Sequence, residues 1–185
     1  LLVGATTVLI DKTSNLTNPF KVDKYLKETS ASILYLPVTT VRILKELSRN
    51  HNFLNNKYIK TIGTMGEMLA PSIENWFSKN FSPNRYLPVV NTYFQTETGG
   101  ILVAKRSIDN QGIKNGEIGG IPDYLDFISS NKGLLVKSYW PGLMISVLGL
   151  SMNEAKNKYL DEKNFLLHDD GYIINKNLFV NGRID

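Results

Sequence analysis

Over its first hundred residues the chain alternates short β-prone runs with amphipathic helical stretches, and few architectures accept that alternation. Gly4 to Ile10 (GATTVLI) is rich in β-branched residues and predicts a strand. Asn18-Pro19 then predicts a helix start, with Asn as the cap and Pro at the first helical position. Val22, Tyr25 and Leu26, at i, i+3 and i+4, give that helix one apolar stripe. Ile33 to Leu36 predicts a short buried strand, and Thr39 to Arg49 a helix with Val41, Leu44 and Leu47 on one side. Tyr58 to Gly63 is a further strand, and Pro71 opens a helix that turns Ile73, Trp76 and Phe77 to the core. Leu87 to Phe94 closes the series as a strand. The expected fold is α/β, a mainly parallel sheet with covering helices. Ligands of such sheets bind beyond the carboxyl ends of the strands.

After Gly100 the pattern changes. Short β-like runs at Ile101–Ala104, Leu134–Lys137 and Leu143–Leu148 are separated by Gly, Pro, Asn and Asp, which predicts a small antiparallel β subdomain. Ser151 and Glu154 form a capping box for one helix with Met152, Ala155 and Tyr159 as its stripe. Tyr172 to Val180 reads as a hairpin turning at Asn175-Lys176-Asn177. The expected organisation is therefore an α/β subdomain over 1–100 and a β-rich subdomain over 101–185.

Composition excludes several function classes. Of 185 residues, 42% are hydrophobic and 21% charged, as in ordinary globular proteins, and no apolar run approaches the ~20 residues of a membrane helix. A membrane partner is not expected. Leu1-Leu2-Val3-Gly4 has neither an initiator Met nor a basic region, so it is no signal peptide and reads as the interior of a longer protein. With no Cys there is no disulfide framework and no thiolate metal site, which fits an intracellular chain. The net charge of +4 has two readings, attraction to anions such as nucleotides or nucleic acid, or scattered solvated lysines. No dense Lys/Arg run occurs, so nucleic acid is not an expected partner. His51 and His168 lie far apart without partner spacing, which leaves no Ser/His/Asp or metal-His arrangement, and each reads as a surface or packing residue.

The strongest chemical signal is Asn91-Thr92-Tyr93-Phe94-Gln95-Thr96-Glu97-Thr98-Gly99-Gly100, where a strand stops at a polar turn. Its threonines offer hydroxyls to phosphate or carboxylate, and its glycines allow close backbone approach. Glu97 offers hard oxygen to Mg²⁺, which prefers one or two carboxylates plus substrate phosphates. Taken by composition alone, the same residues also suit a polar strand-end turn with a surface glutamate.

These ten residues resemble the W-W-Q-T-E-T signature of the AMP-forming acyl-CoA synthetases, most closely the acetyl-CoA synthetase family. Further segments follow in that family's order. Gly4–Leu9 is similar to its G-A-T-T-V-L strand, and Leu34–Arg42 resembles L-Y-T-A-P-T-A-I-R with the Pro displaced by one position. Gly63-Thr64-Met65-Gly66-Glu67 resembles G-[ST]-x-G-E-P, with Met68 in place of the Pro. Ser138-Tyr139-Trp140-Pro141-Gly142 looks like the W-P-G segment of acetyl-CoA synthetases. Phe165–Tyr172 and Gly182-Arg183-Ile184-Asp185 resemble [YF]-x-[ST]-G-D-x-[AG] and G-R-x-D, with Leu167-His168 replacing the [ST]-G, a departure that brings a ring where it could crowd the ribose.

The resemblance implies a two-step ligase that activates acetate or a similar short acid with ATP to acyl-AMP, then transfers it to CoA, in an intracellular, cytoplasmic protein. It implies Glu97 and Arg183 as catalytic residues, and Glu97 as the Mg²⁺ ligand. Nucleotide binding falls to Gly66, Glu67 and Met68, to Asn91, Thr92, Tyr93, Phe94, Gln95 and Thr96, and to Asp169 and Arg183. The acyl and CoA pocket falls to Thr39, Arg42, Phe94 and Gly99, and Asp185 matches a hinge to a further domain. Phe94 stands where acetate-specific members close the pocket with Trp, and either admits a slightly larger acid or substitutes without change. The family's Lys-bearing phosphate loop and its Lys-bearing C-terminal domain lie outside these 185 residues, so the isolated piece is expected not to turn over. The alternative is a degenerate, non-catalytic homologue that binds nucleotide or a protein partner, for which Met68 and Leu167-His168 are the motive. Oligomeric state is not legible.

Overall fold

The computed structural model describes residues 4–10, 13–48, 56–81, 87–105, 114–137 and 139–184. A short helix, α1 (Thr13–Leu16), precedes α2 (Pro19–Thr29). Asn18 caps α2 as its sequence requires, extended at φ −98° and accepting from the Lys21 amide at 3.1 Å, with Pro19 in the first turn. Then come β1 (Ile33–Pro37), α3 (Val38–Leu47), β2 (Thr61–Met65), α4 (Pro71–Asn80) and β3 (Val89–Tyr93). The strands pair β1-β2-β3 in parallel, with Ile33 against Thr61 and Ile62 against Val89. A two-residue strand, β4 (Val103–Ala104), adds antiparallel to β3. Val22, Leu26, Val41, Leu44, Ile73 and Phe77 come from the three longer helices and meet Leu34, Leu36, Ile62 and Val89 of the sheet in one core.

The second half is built from short antiparallel strands. These are β5 (Glu117–Gly120), β6 (Phe127–Ser130) and β7 (Gly133–Lys137), then, after α5 (Met152–Tyr159), β8 (Leu160–Asp161), β9 (Asn164–Leu166), β10 (Asp169–Ile174) and β11 (Asn177–Arg183). Among the described residues they form two sheets, β10-β11-β5 and β6-β7-β9-β8. Leu134 and Val136 of β7, Phe165 of β9 and Leu178 and Val180 of β11 form a second core that also takes in Tyr93. The β10–β11 hairpin turns on Asn175 and Lys176, both at positive φ (50° and 61°), the geometry of the tight two-residue turns that match strand twist.

The mixed α/β architecture, its parallel sheet and the small antiparallel part agree with expectation, and several local readings do not. Residues 4–10 form no strand, and Leu9 is 88% exposed. β-branched residues favour a pleated, half-buried surface, and among the described residues no strand lies beside this segment to provide one. β1 is buried on one face only, with Leu34 and Leu36 inward and Ile33 and Tyr35 outward. Leu47 lies exposed at the end of α3, whose described helix stops there, so the reading on to Arg49 falls outside the described residues. β2 starts at Thr61 because the Tyr58 amide is drawn into a turn by Asn56 Oδ1 at 2.9 Å. Leu143–Leu148 makes turns rather than a strand, since the Met144 amide bonds Glu97 O (2.8 Å) and the Leu150 amide bonds Val147 O (3.1 Å). Its Ile145 and Leu148 point outward. Met152 is exposed while Ala155 and Tyr159 carry the buried side of α5.

Candidate functional site

Parallel pairing in common register brings the carboxyl ends of β1, β2 and β3 to one edge of the sheet. The segments that leave those ends are the first turns of α3, the Gly66–Met68 loop and the turn after Tyr93. Opposite them stands the open end of the β10–β11 hairpin. Between lies a cleft of roughly 580 Å³, the size of a site for a nucleotide or drug-sized ligand. Arg42, Gly66, Glu67, Met68, Thr92, Tyr93, Phe94, Gln95, Thr96, Glu97, Asp169 and Arg183 all line it. Motifs spread over 140 residues of sequence therefore converge on one cavity.

Asp169 is the centre of the polar network. It opens β10, and hairpin register sets it opposite Arg183 at the end of β11. The pairing shifts between Asp170 and Gly171, leaving Asn181 as the extra residue of a bulge that also faces the cleft. The Tyr93 hydroxyl donates to Asp169 Oδ2 at 2.5 Å, and Gln95 Nε2 donates to the same oxygen at 2.6 Å and to Leu167 O at 2.6 Å. Arg183 Nη1 meets Asp169 Oδ1 and Leu167 O at a longer 3.4 Å. Burial, then the Asp169 charge and hydrogen bond, drive the Tyr93 phenol far above its ordinary pKa, with Arg183 opposing. The phenol therefore keeps its proton and acts on the carboxylate as a donor.

Glu97 sits in a single 3₁₀ turn, Thr96–Thr98, closed by the Gln95 amide bonding Thr98 Oγ1 at 3.0 Å. That turn is fixed from behind. Trp140 Nε1 donates to Thr98 O (2.8 Å), and the Met144 amide donates to Glu97 O (2.8 Å). Gly99 follows at φ +64°, and a Cβ there would lie 2.4 Å from Gly142 O. The Trp140-Pro141-Gly142 segment is thus a buttress for the Glu97 turn.

Charge is unevenly paired across the cleft. Arg42 Nη1 holds Glu67 Oε2 at 2.9 Å, and Arg183 meets Asp169. Among the described residues the Glu97 carboxylate has no ion pair or hydrogen bond. No described group of three or more His, Cys, Asp or Glu gathers into a metal cage. A lone half-buried carboxylate beside a nucleotide-sized cleft fits Mg²⁺, which takes one or two carboxylates and completes its shell with phosphate oxygens and water.

Three expected site residues lie outside this lining. Asn91 is fully buried and locked, accepting from Thr64 Oγ1 (3.2 Å) and donating to Glu117 O (3.2 Å), because an inward strand position must satisfy its amide internally. Gly99 faces Gly142, as its close approach demands, and Thr39 is an exposed residue on the first turn of α3. His168, at φ +56°, packs its ring on Tyr159 with a ring nitrogen 2.9 Å from Lys158 O and is not part of the cleft lining, in line with its reading as a packing residue and not as a group that crowds the ribose. Its left-handed backbone explains why a glycine serves well at this point of the motif. Asp185, Ser138 and His51 lie outside the described residues. Ile118, Val180, Asn181 and Gly182 line the cleft without having been anticipated. Only Asn181-Gly182, a bulge-prone pair before the Arg, carried a signal.

The AMP-binding enzyme family model matches residues 1–124. The acetyl-coenzyme A synthetases of Vibrio parahaemolyticus serotype O3:K6 and Shewanella denitrificans are each 24% identical to this chain over 98% of its length, and the match covers 30% of each. The chain thus spans under a third of the curated relatives it matches. Among solved structures, an anthranilate CoA ligase in complex with anthranoyl-AMP superposes with a TM-score of 0.78 at 14% identity, covering 99% of this chain and 35% of that one. Among the described residues no helix is long and apolar enough to cross a membrane.

Proposed function

The chain belongs to the AMP-binding enzyme family, and from that premise we propose that it forms the nucleotide- and acyl-facing part of an AMP-forming acyl-CoA ligase acting on acetate or a similarly short acid. The observation that carries the reading is the cleft itself, which draws the Glu97 turn, the Gly66–Met68 loop, Asp169 and Arg183 to one place.

In the first step a carboxylate oxygen bonds the α-phosphorus of ATP, and the bond to the β-phosphate oxygen breaks, releasing pyrophosphate with its electron pair. In the second, the CoA sulfur bonds the acyl carbon, the acyl–phosphate bond breaks, and AMP leaves as the thiol loses its proton. The chain's work is positioning and charge neutralisation. Backbone groups of Gly66 and Glu67, beside Met68, Tyr93 and Ile118, hold the base. Asp169 takes the ribose hydroxyls. Arg183 meets the α-phosphate with an always-charged planar donor, suited to charge that shifts as pyrophosphate departs. Thr92, Gln95 and Thr96 add donors along the phosphates. Glu97 would hold Mg²⁺, which supplies neutralisation of the phosphate oxygens. Arg42 and Phe94 wall the acyl side. Residues 1–100 and 101–185 serve as its two subdomains.

The test is carboxylate-dependent ATP–pyrophosphate exchange in the protein that carries this chain, with Glu97→Ala as control. Exchange that disappears in the variant supports the reading. A folded protein that binds ATP without exchange on any short acid would instead favour a nucleotide-binding homologue that has lost catalysis.

A further inference from the structure

Asp169 presents its two oxygens unequally. Oδ2 already accepts two short hydrogen bonds, from the Tyr93 hydroxyl (2.5 Å) and from Gln95 Nε2 (2.6 Å). Oδ1 has only the 3.4 Å contact from Arg183, whose side chain is 57% exposed against 8% for Asp169. A carboxylate oxygen with two good donors has its lone pairs engaged, whereas one with a long contact from a solvated side chain is open to exchange. Tyr93 is itself closely packed. Its ring is buried in the second core, tilted against Phe127 at 6.4 Å, and its proton is retained because burial and the adjacent carboxylate disfavour ionisation. The hydroxyl is therefore a fixed post that sets the rotation of the Asp169 carboxylate.

We propose that Tyr93 is a positioning residue that, with Gln95, pins Asp169 so that Oδ1 alone faces the cleft and accepts the vicinal hydroxyls of a ribose, displacing the Arg183 contact. This inference rests on the nucleotide reading above and gives the Tyr93 hydroxyl a role through Asp169, apart from the place of its ring beside the base. It also orders two events. A sugar hydroxyl that takes Oδ1 releases Arg183 from its weak partner at the moment a phosphate enters its reach.

Equilibrium binding of ATP and of 2′,3′-dideoxy-ATP tests this in the protein that carries the chain, in wild type, Tyr93→Phe and Phe127→Leu. Only ATP carries the hydroxyl pair. Removing the Tyr93 hydroxyl is expected to weaken ATP about tenfold while leaving the dideoxy nucleotide within about twofold, since a hydrogen bond to a charged group is what changes. Phe127→Leu loosens the ring without touching the hydroxyl and is expected to weaken both nucleotides by a common factor. Equal weakening of both by Tyr93→Phe, or no change in their ratio, overturns the proposal while the nucleotide site stands. A folded wild type that binds neither nucleotide overturns the nucleotide reading and this inference with it.

Discussion

Replacing Gly99 by Ala probes the joint between the Glu97 turn and its buttress. Gly99 stands at φ +64°, where a side chain costs about 1–2 kcal/mol through its clash with the following carbonyl. The added Cβ would also sit 2.4 Å from Gly142 O, well inside contact distance, and that neighbour cannot retreat freely. Gly142 is itself hemmed in by the same turn and by Trp140, its own Cβ position lying 2.6 Å from Thr98 O and 2.7 Å from Trp140 Nε1. Overpacking of this kind costs a further ~1–3 kcal/mol, for a total of about 2–5 kcal/mol. Gly100→Ala is the internal control. Gly100 has no positive φ, and its Cβ would meet Trp140 Cζ2 at an ordinary 3.8 Å, so the change is expected to stay within about 1 kcal/mol of neutral. Urea denaturation of both variants measures the difference. Equal midpoints would show that the two turns are not in hard contact. The Gly99 variant should also lose pyrophosphate exchange, because relieving the clash moves the Glu97 turn.

Three further outcomes are expected. Glu74 and Lys105 form a buried ion pair at 3.5 Å (3% and 7% exposed), so Glu74→Gln should cost about 3–5 kcal/mol in denaturant titrations. Phe94→Trp should narrow the acyl side and lower the propionate-to-acetate exchange ratio by roughly 10-fold or more, the scale of one methylene; an unchanged ratio would mean that Phe94 does not set chain length. Side-chain and then backbone hydrogen bonds from Ser151 hold the Glu154 carboxyl below its ordinary 4.5. A depressed folded pKa adds stability above the unfolded value and loses it as pH falls through the folded one. The urea-midpoint gap between wild type and Glu154→Ala should therefore be full at neutral pH and shrink below pH 4.5.

Local chemistry made part of this molecule legible in advance. Asn18-Pro19 and the Ser151–Glu154 box each carry their own geometry in a few residues and form where the sequence places them, and the hairpin turns on Asn175-Lys176 while Asn177, read as part of the turn, already pairs with Ile174. The parallel sheet followed from helices and strands in strict alternation. What was not legible depends on distant partners. Residues 4–10 have β propensity but no neighbouring strand among the described residues, and Leu143–Leu148 spends its amides on Glu97 and on turns. β5, reading Glu-Ile-Gly-Gly, has no strand pattern and is held by pairing with β11. In the cleft, the motif resemblance pointed to Glu97, Asp169 and Arg183, and the structure brings them together. The grip of Tyr93 on Asp169 spans 76 residues, and nothing in the sequence near either residue marks it.

In the proposed reaction a carboxylate oxygen attacks the α-phosphorus of ATP in this cleft. Turnover with ¹⁸O-labelled acetate or propionate, ATP and CoA, followed by mass spectrometry of the nucleotide product, follows that oxygen. One labelled oxygen is expected in AMP and none in pyrophosphate, with all transfer lost in Glu97→Ala. Label in inorganic phosphate or pyrophosphate, or unlabelled AMP from an active protein, would contradict it.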